Sequence, residues 1–230
     1  MVKPKRKSPA KKMGNQYRKS NTKTDLVKLI KSVSLRQQET KMAISASGAI
    51  TLLHNVSAQV YQNLAATQQG ITDGLSTLNR LGDTVTPIGF KLFVQLRSPA
   101  DRPNVTYKMW IVKSWGTANP ATFLPVKAIT GNLLLDPVDT EKCSVVKTFT
   151  YKSPSNYWQG SLATSKENCF FKKLWIPLPR TPYVYGGDNG TLGKKFQYTL
   201  YCTAYDTVGT LITDNIGSVN VDCCFYFKDA

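Results

Sequence analysis

The 230 residues suffice for one large β domain or two small ones, and a composition of 41% hydrophobic and 10% aromatic residues is that of a chain that buries a core. The formal net charge of +16 is unevenly placed: residues 1–36 carry 12 Lys+Arg against one acid, Asp25, while the remainder carries 18 Lys+Arg and 13 Asp+Glu. A membrane-spanning helix is excluded, because the longest unbroken apolar run, Cys223 to Phe227, falls far short of the roughly 20 residues that a span requires.

Residues 1–24 contain no acid and few apolar side chains (Met1, Val2, Ala10, Met13, Tyr17), so burial cannot offset the entropy of ordering and a disordered arm is predicted. Its cations, Lys3, Lys5, Arg6, Lys7, Lys11, Lys12, Arg18, Lys19 and Lys23, are candidate nucleic-acid contacts. Like charges at this density repel one another, and neutralising phosphates with release of counterions offsets that repulsion. A solvated tail is the blander alternative. No lipidation motif or apolar-faced anchor accompanies the charge, so a membrane is not expected as a partner. Lys3 to Lys7 with Lys11 and Lys12 also has the composition of a nuclear-import signal. The same residues, with Pro4 and Pro9, stand where a secretory signal would place an apolar stretch, so export is not expected. Next, Thr24 and Asp25 can cap a short helix over about 25–34, with Leu26, Leu29, Ile30 and Val33 on one face. A stub this short is marginal alone; it packs on the body or on another copy, or frays as a linker.

Residues 37–230 read as a single β domain. Phe90, Leu92, Val94 and Leu96 alternate with Lys91, Gln95 and Arg97; Phe196, Tyr198, Leu200, Cys202 and Ala204 with Gln197, Thr199 and Thr203; Val219, Val221, Cys223, Phe225 and Phe227 with Ser218, Asn220 and Asp222. Further strands are expected at about 38–46, 49–56, 104–115, 144–152 and 169–176, the last closed by Pro177 and Pro179. Apart from the stub, the one helix expected is a short one within Pro120 to Thr130. Eight strands joined by several long connections suit an eight-stranded antiparallel jelly-roll sandwich better than a meander or an immunoglobulin sandwich. The connections 57–82, 116–143, 153–168 and 177–194 are too long for turns; their Tyr157, Trp158, Tyr183 and Tyr185 either form contact surfaces or pack over the sandwich ends.

Catalytic equipment is sparse. The sole histidine, His54, has no acid–base partner visible in sequence and reads as a surface or structural residue, and a metal site of several histidines is excluded. No Walker A, G-x-S-x-G or H-E-x-x-H pattern occurs, so an enzyme is not expected. Cys143, Cys169, Cys202, Cys223 and Cys224 are odd in number and lack Cys-x-x-Cys spacing, which suits half-buried small hydrophobes in a reducing compartment. Sequons at Asn55, Asn104 and Asn189 carry no weight without export. Asp136, Asp139 and Glu141 are candidate calcium ligands, but calcium takes about six or more oxygens, so a solvated acidic loop is the simpler reading.

Arg80, Gly82, Asp83 and Pro87, ahead of Phe90, resemble the R-x-G-D-x-[IV]-x-P-x-x-[LF] pattern that opens a strand in small single-jelly-roll capsid proteins, those of circular single-stranded DNA viruses and of satellite tobacco necrosis virus. Tyr107 to Trp115 looks like that family's next strand. From the residues alone, Gly82 and Asp83 read as a turn, Pro87 as a fixed bend and Arg80 as a partner for Asp83 or for a neighbour's acid. The resemblance implies a virion coat subunit that self-assembles into a small icosahedral shell of about 60 copies. It further implies arms that neutralise a single-stranded viral genome, DNA favoured over RNA, passage through the host nucleus or cytoplasm with help from the import machinery, and structural calcium at subunit contacts. The alternative is a cellular single-stranded nucleic-acid-binding β-barrel with a basic tail, for which Tyr201, Tyr205 and Tyr226 are candidate stacking residues.

Overall fold

The computed structural model describes residues 26–30, 33, 38–69, 79–80, 82–99, 102, 104–115, 126–127, 129–153, 168–186, 192–206 and 213–229. The chain divides into two units, residues 1–38 and 39–230. In the first, residues 26–30 and 33 are helical, within the stretch expected from its 3, 4 and 7 spacing. The second holds every strand among the described residues: β1 (Lys41–Leu53), β2 (Ser57–Tyr61), β3 (Gln68–Gln69), β4 (Asn79–Arg80), β5 (Thr84–Ser98), β6 (Val105–Trp115), β7 (Cys143–Lys152), β8 (Asn168–Pro177), β9 (Tyr183–Val184), β10 (Phe196–Asp206) and β11 (Asn215–Asp229).

The ladders are nested. The first long strand pairs with the last, β1 with β11, and moving inward β2 pairs with β10, β5 with β8 and β6 with β7, all antiparallel. Rolling up this one long hairpin adds the ladders β11 to β5 and β10 to β6, and yields two sheets of order β1-β11-β5-β8 and β2-β10-β6-β7. Along the long strands each connection changes sheet except β6 to β7, which is the jelly-roll arrangement of two Greek keys. The short β9 extends the first sheet beside the start of β5, and β3 and β4 form a small parallel pair of their own.

The core lies between the sheets and is built from the alternation already present in the sequence. Phe90, Leu92, Val94 and Leu96 of β5 and Val219, Val221, Cys223, Phe225 and Phe227 of β11 face Tyr107, Met109 and Ile111 of β6 and Leu200 and Cys202 of β10. The Phe90 ring lies 5.3 Å from Tyr198 and 5.4 Å from Phe225. Truncating one such fully buried phenylalanine costs about 3–5 kcal/mol.

Several boundaries differ from expectation. The segments 38–46 and 49–56 are not two strands but one, β1, interrupted by a bulge: Ser47 and Gly48 together oppose Val221, Gly48 takes φ +67°, and the Ser47 hydroxyl accepts a hydrogen bond from the Val221 N–H at 3.0 Å. The strand missing from that count is β2, inside what reads as the 57–82 connection. The turn between β1 and β2 rests on Asn55, at φ 56°. Strand β5 starts six residues before Phe90, so Pro87 lies inside it and not at its start. Within the segment expected to be helical, Pro120 to Thr130, Val126 forms a β-bridge with Val138; residues 120–125 and 128 lie outside the described residues.

Candidate functional site

The strand-opening motif is a buried hub. Arg80 ends β4 with its side chain 0% exposed, and its guanidinium donates to the Gly82 carbonyl at 2.6 Å and pairs with Asp83 at 3.0 Å. Its flat face lies 4.1 Å from the centre of the Tyr185 ring, a cation–π contact. Tyr185 in turn donates its N–H to the Asp83 carbonyl at 2.8 Å and its hydroxyl to the Ala65 carbonyl at 2.7 Å. Beside it Tyr183 donates to Asn63 at 3.3 Å. One arginine thus ties the start of β5, the β9 segment and the 63–67 loop together inside the chain. Of the two partners expected for Arg80 it is Asp83 that the structure supplies, and Tyr183 and Tyr185 are core residues, not a contact surface. Burial pushes both phenols well above the ordinary 10.0.

Pro87 occupies a bulge. The β11 ladder passes from Gly89 opposite Tyr226 to Pro87 opposite Phe227, leaving Ile88 out, and the Ile88 carbonyl accepts from Leu178 N–H at 2.9 Å. A proline is tolerated there because the disrupted ladder asks it for no donor.

The acidic loop is neither solvated nor convergent. Asp136 and Asp139 are buried, whereas Glu141 is exposed. Asp136 accepts from the N–H and the hydroxyl of Thr130, both at 2.8 Å, and these bonds hold its carboxyl below the ordinary range. Burial pushes Asp139 up, but Lys142 at 3.1 Å, the Glu141 N–H and Lys127 outweigh it and keep that carboxyl low as well. Lys127 also pairs with Glu141 at 3.2 Å. Among the described residues no three acidic, histidine or cysteine side chains gather into a metal site.

The 126–142 segment instead covers one outer sheet face. Val126 and Leu133 pack with Trp110, Val112, Cys143 and Tyr201, outward-facing residues of β6, β7 and β10, in a second apolar cluster. Asn55 clasps the segment, donating to the Gly131 carbonyl at 2.6 Å and accepting from Leu133 N–H at 2.9 Å, and Lys108 donates to the Leu134 carbonyl. Tyr201 is therefore buried and unavailable for stacking; Tyr205 leans on His54, with ring centres 4.7 Å apart. His54 itself is a buried structural residue whose Nδ1 accepts from Asp206 N–H at 3.2 Å. None of the five cysteines forms a disulfide; four are buried outright and Cys169 is exposed. The arm cations from Lys3 to Lys23, and Tyr157, Trp158 and Asn189, lie outside the described residues.

The sequence reading missed a row of exposed aromatics on the opposite outer face: Phe93, Phe171 and Trp175. The signal was present, since each shares the outward phase of a charged neighbour, Phe93 with Lys91, and Phe171 and Trp175 with Lys173.

No family model matches the sequence, and no curated protein matches it. Among solved structures, the chain is similar to the VP2 subviral particle of infectious bursal disease virus, at 9% identity over 84% of this chain and 38% of that one, with a TM-score of 0.32. It is also similar to the Macrobrachium rosenbergii nodavirus, at 14% identity over 100% of this chain and 60% of that one, TM-score 0.27. The semi-empty VLP of the same prawn nodavirus gives 14% identity over 100% and 95%, TM-score 0.25. The chain spans less than two thirds of the first two proteins. Overlaps this loose carry no argument for this chain, whose fold rests on its own ladders.

Proposed function

We propose that the chain is a capsid subunit whose basic arm packages a single-stranded genome. One observation carries this reading: a nested jelly roll, in which residues 39–230 hold every described strand, follows a segment of net charge +11. Jelly rolls serve chiefly as viral shells, lectins and cupins. A cupin needs several metal-binding histidines and this chain has one, buried against Tyr205; a lectin has no use for a dense cationic arm. The resemblance of Arg80, Gly82, Asp83 and Pro87 to the capsid strand-opening pattern points the same way, and it favours DNA over RNA and a shell of about 60 copies built by closed symmetry. The cellular β-barrel alternative is weakened by the fold, a nested two-sheet jelly roll in place of a barrel.

Electron microscopy of the purified full-length chain is the test. Uniform closed shells containing nuclease-protected single strands are expected, and sequencing those strands identifies the genome as DNA or RNA. A chain that stays small at high concentration, with or without nucleic acid, overturns the reading.

A further inference from the structure

The two outer sheet faces are unequal. That of β2-β10-β6-β7 lies partly beneath the 126–142 segment, while that of β1-β11-β5-β8 displays large aromatic side chains among lysines. Across the β5–β8 ladder Lys91 stands opposite Trp175, Phe93 opposite Lys173 and Gln95 opposite Phe171, so ring and polar side chain alternate both along and across the strands, the polar partner being a lysine in two of the three pairs. Phe171 is 70% exposed and Trp175 53%. Lys91 Nζ lies 5.2 Å from the centre of the Phe93 ring and Lys173 Nζ 5.7 Å from it. Two open depressions meet at Lys173: one of about 270 Å³ lined by Phe93, Phe171 and Asp222 among others, and one of about 510 Å³ between Lys91, Trp175 and Tyr226. Each exceeds the roughly 150 Å³ that accommodates a benzene ring.

We propose that this face is a stacking platform for single-stranded nucleic acid, a contact on the folded body in addition to the arm; the proposal rests on the nucleic-acid reading above. Two lysines on this face (Lys91, Lys173) stand against one carboxylate (Asp222) in the depressions, a balance that suits a phosphodiester backbone. The exposed rings offer what unpaired bases stack on, and bases locked in a duplex have no free faces to offer. Trp175 is preorganised. Its indole lies across β5 at Gly89, where an added Cβ would stand 2.8 Å from the ring, and Tyr226 braces it edge-on at 5.5 Å. A ring already held loses little freedom on binding.

The test compares full-length protein binding to a short labelled oligothymidylate, to an abasic strand of equal length and to a duplex, at about 0.3 M salt where phosphate-only binding is weakened. Binding to oligothymidylate should be about tenfold tighter than to the abasic strand, or more. The double variant Phe171→Ala, Trp175→Ala should lose that ratio while keeping its affinity for the abasic strand. Phe171→Tyr, which retains a ring, should preserve it. A wild-type ratio near one with both strands bound overturns this proposal and leaves the arm reading standing, whereas failure to bind either strand overturns both. A double variant that keeps the ratio but forms fewer particles makes the face a contact between copies, and also overturns the proposal.

Discussion

Arg80 and Asp83 form a single ion pair, yet their surroundings make them unequal. The arginine side chain is 0% exposed and the aspartate 43%. Removing Asp83 leaves the guanidinium with the Gly82 carbonyl and the Tyr185 ring, and the site opens to water on the aspartate side. Removing Arg80 empties a buried volume and strips Tyr185 of its cation. Asp83→Ala should therefore cost about 1 kcal/mol and Arg80→Ala about 3 kcal/mol or more. Urea unfolding of the two variants checks the order, and equal losses would contradict the hub geometry. The resemblance marks both residues alike. Their difference comes from Tyr185, just after β9 and far along the chain, which no local pattern around Arg80 announces.

At the scale of elements, buried phenols run through the sandwich from one end to the other. Burial raises Tyr61 and Tyr198 from the ordinary 10.0 to about 12, and moves Tyr107, Tyr183 and Tyr185 further in the same direction. In the unfolded chain these groups ionise near 10, whereas in the folded chain they stay protonated until well above it. Their contribution is therefore complete below pH 10 and is lost as pH rises from 10 through about 12. Within that window each phenol withdraws about 1.4 kcal/mol per pH unit. Urea midpoints measured from pH 9 upward should fall steeply once pH exceeds 10, with phenolate absorbance appearing together with unfolding. Phenolate that titrates near 10 in a chain that stays folded would contradict the burial of this cluster.

For the whole molecule, the division between arm and jelly roll predicts separable properties. Deleting residues 1–24 removes nine Lys+Arg and no acid, and it touches none of the described strands. Melting behaviour and β spectrum should be unchanged. With about half of the arm's charges on phosphates, the log–log salt slope of full-length binding should be about −4 and should flatten on truncation. The preference for oligothymidylate over the abasic strand, which belongs to the sheet face, should survive the same truncation. An unchanged salt slope would move the phosphate contacts from the arm to the body.

Alternation along β5, β10 and β11 is a local property, imposed by a backbone that turns successive side chains to opposite faces, so those strands and their core-facing residues could be read directly from the sequence. The concentration of charge in residues 1–36 is equally a matter of counting. Pairing is not local. That β1 bulges at Ser47 and Gly48 and continues, instead of ending, depends on Val221 across the ladder. The fate of outward-facing rings depends on pairing and on what lies above it. Trp110 and Trp175 both stand on the outward phase of their strands beside a lysine, and no sequence pattern separates them. The 126–142 segment comes to lie over the first and seals it, leaving the second open to solvent beside Lys91 and Tyr226, because the order in which the hairpin rolls up determines which sheet carries which connection.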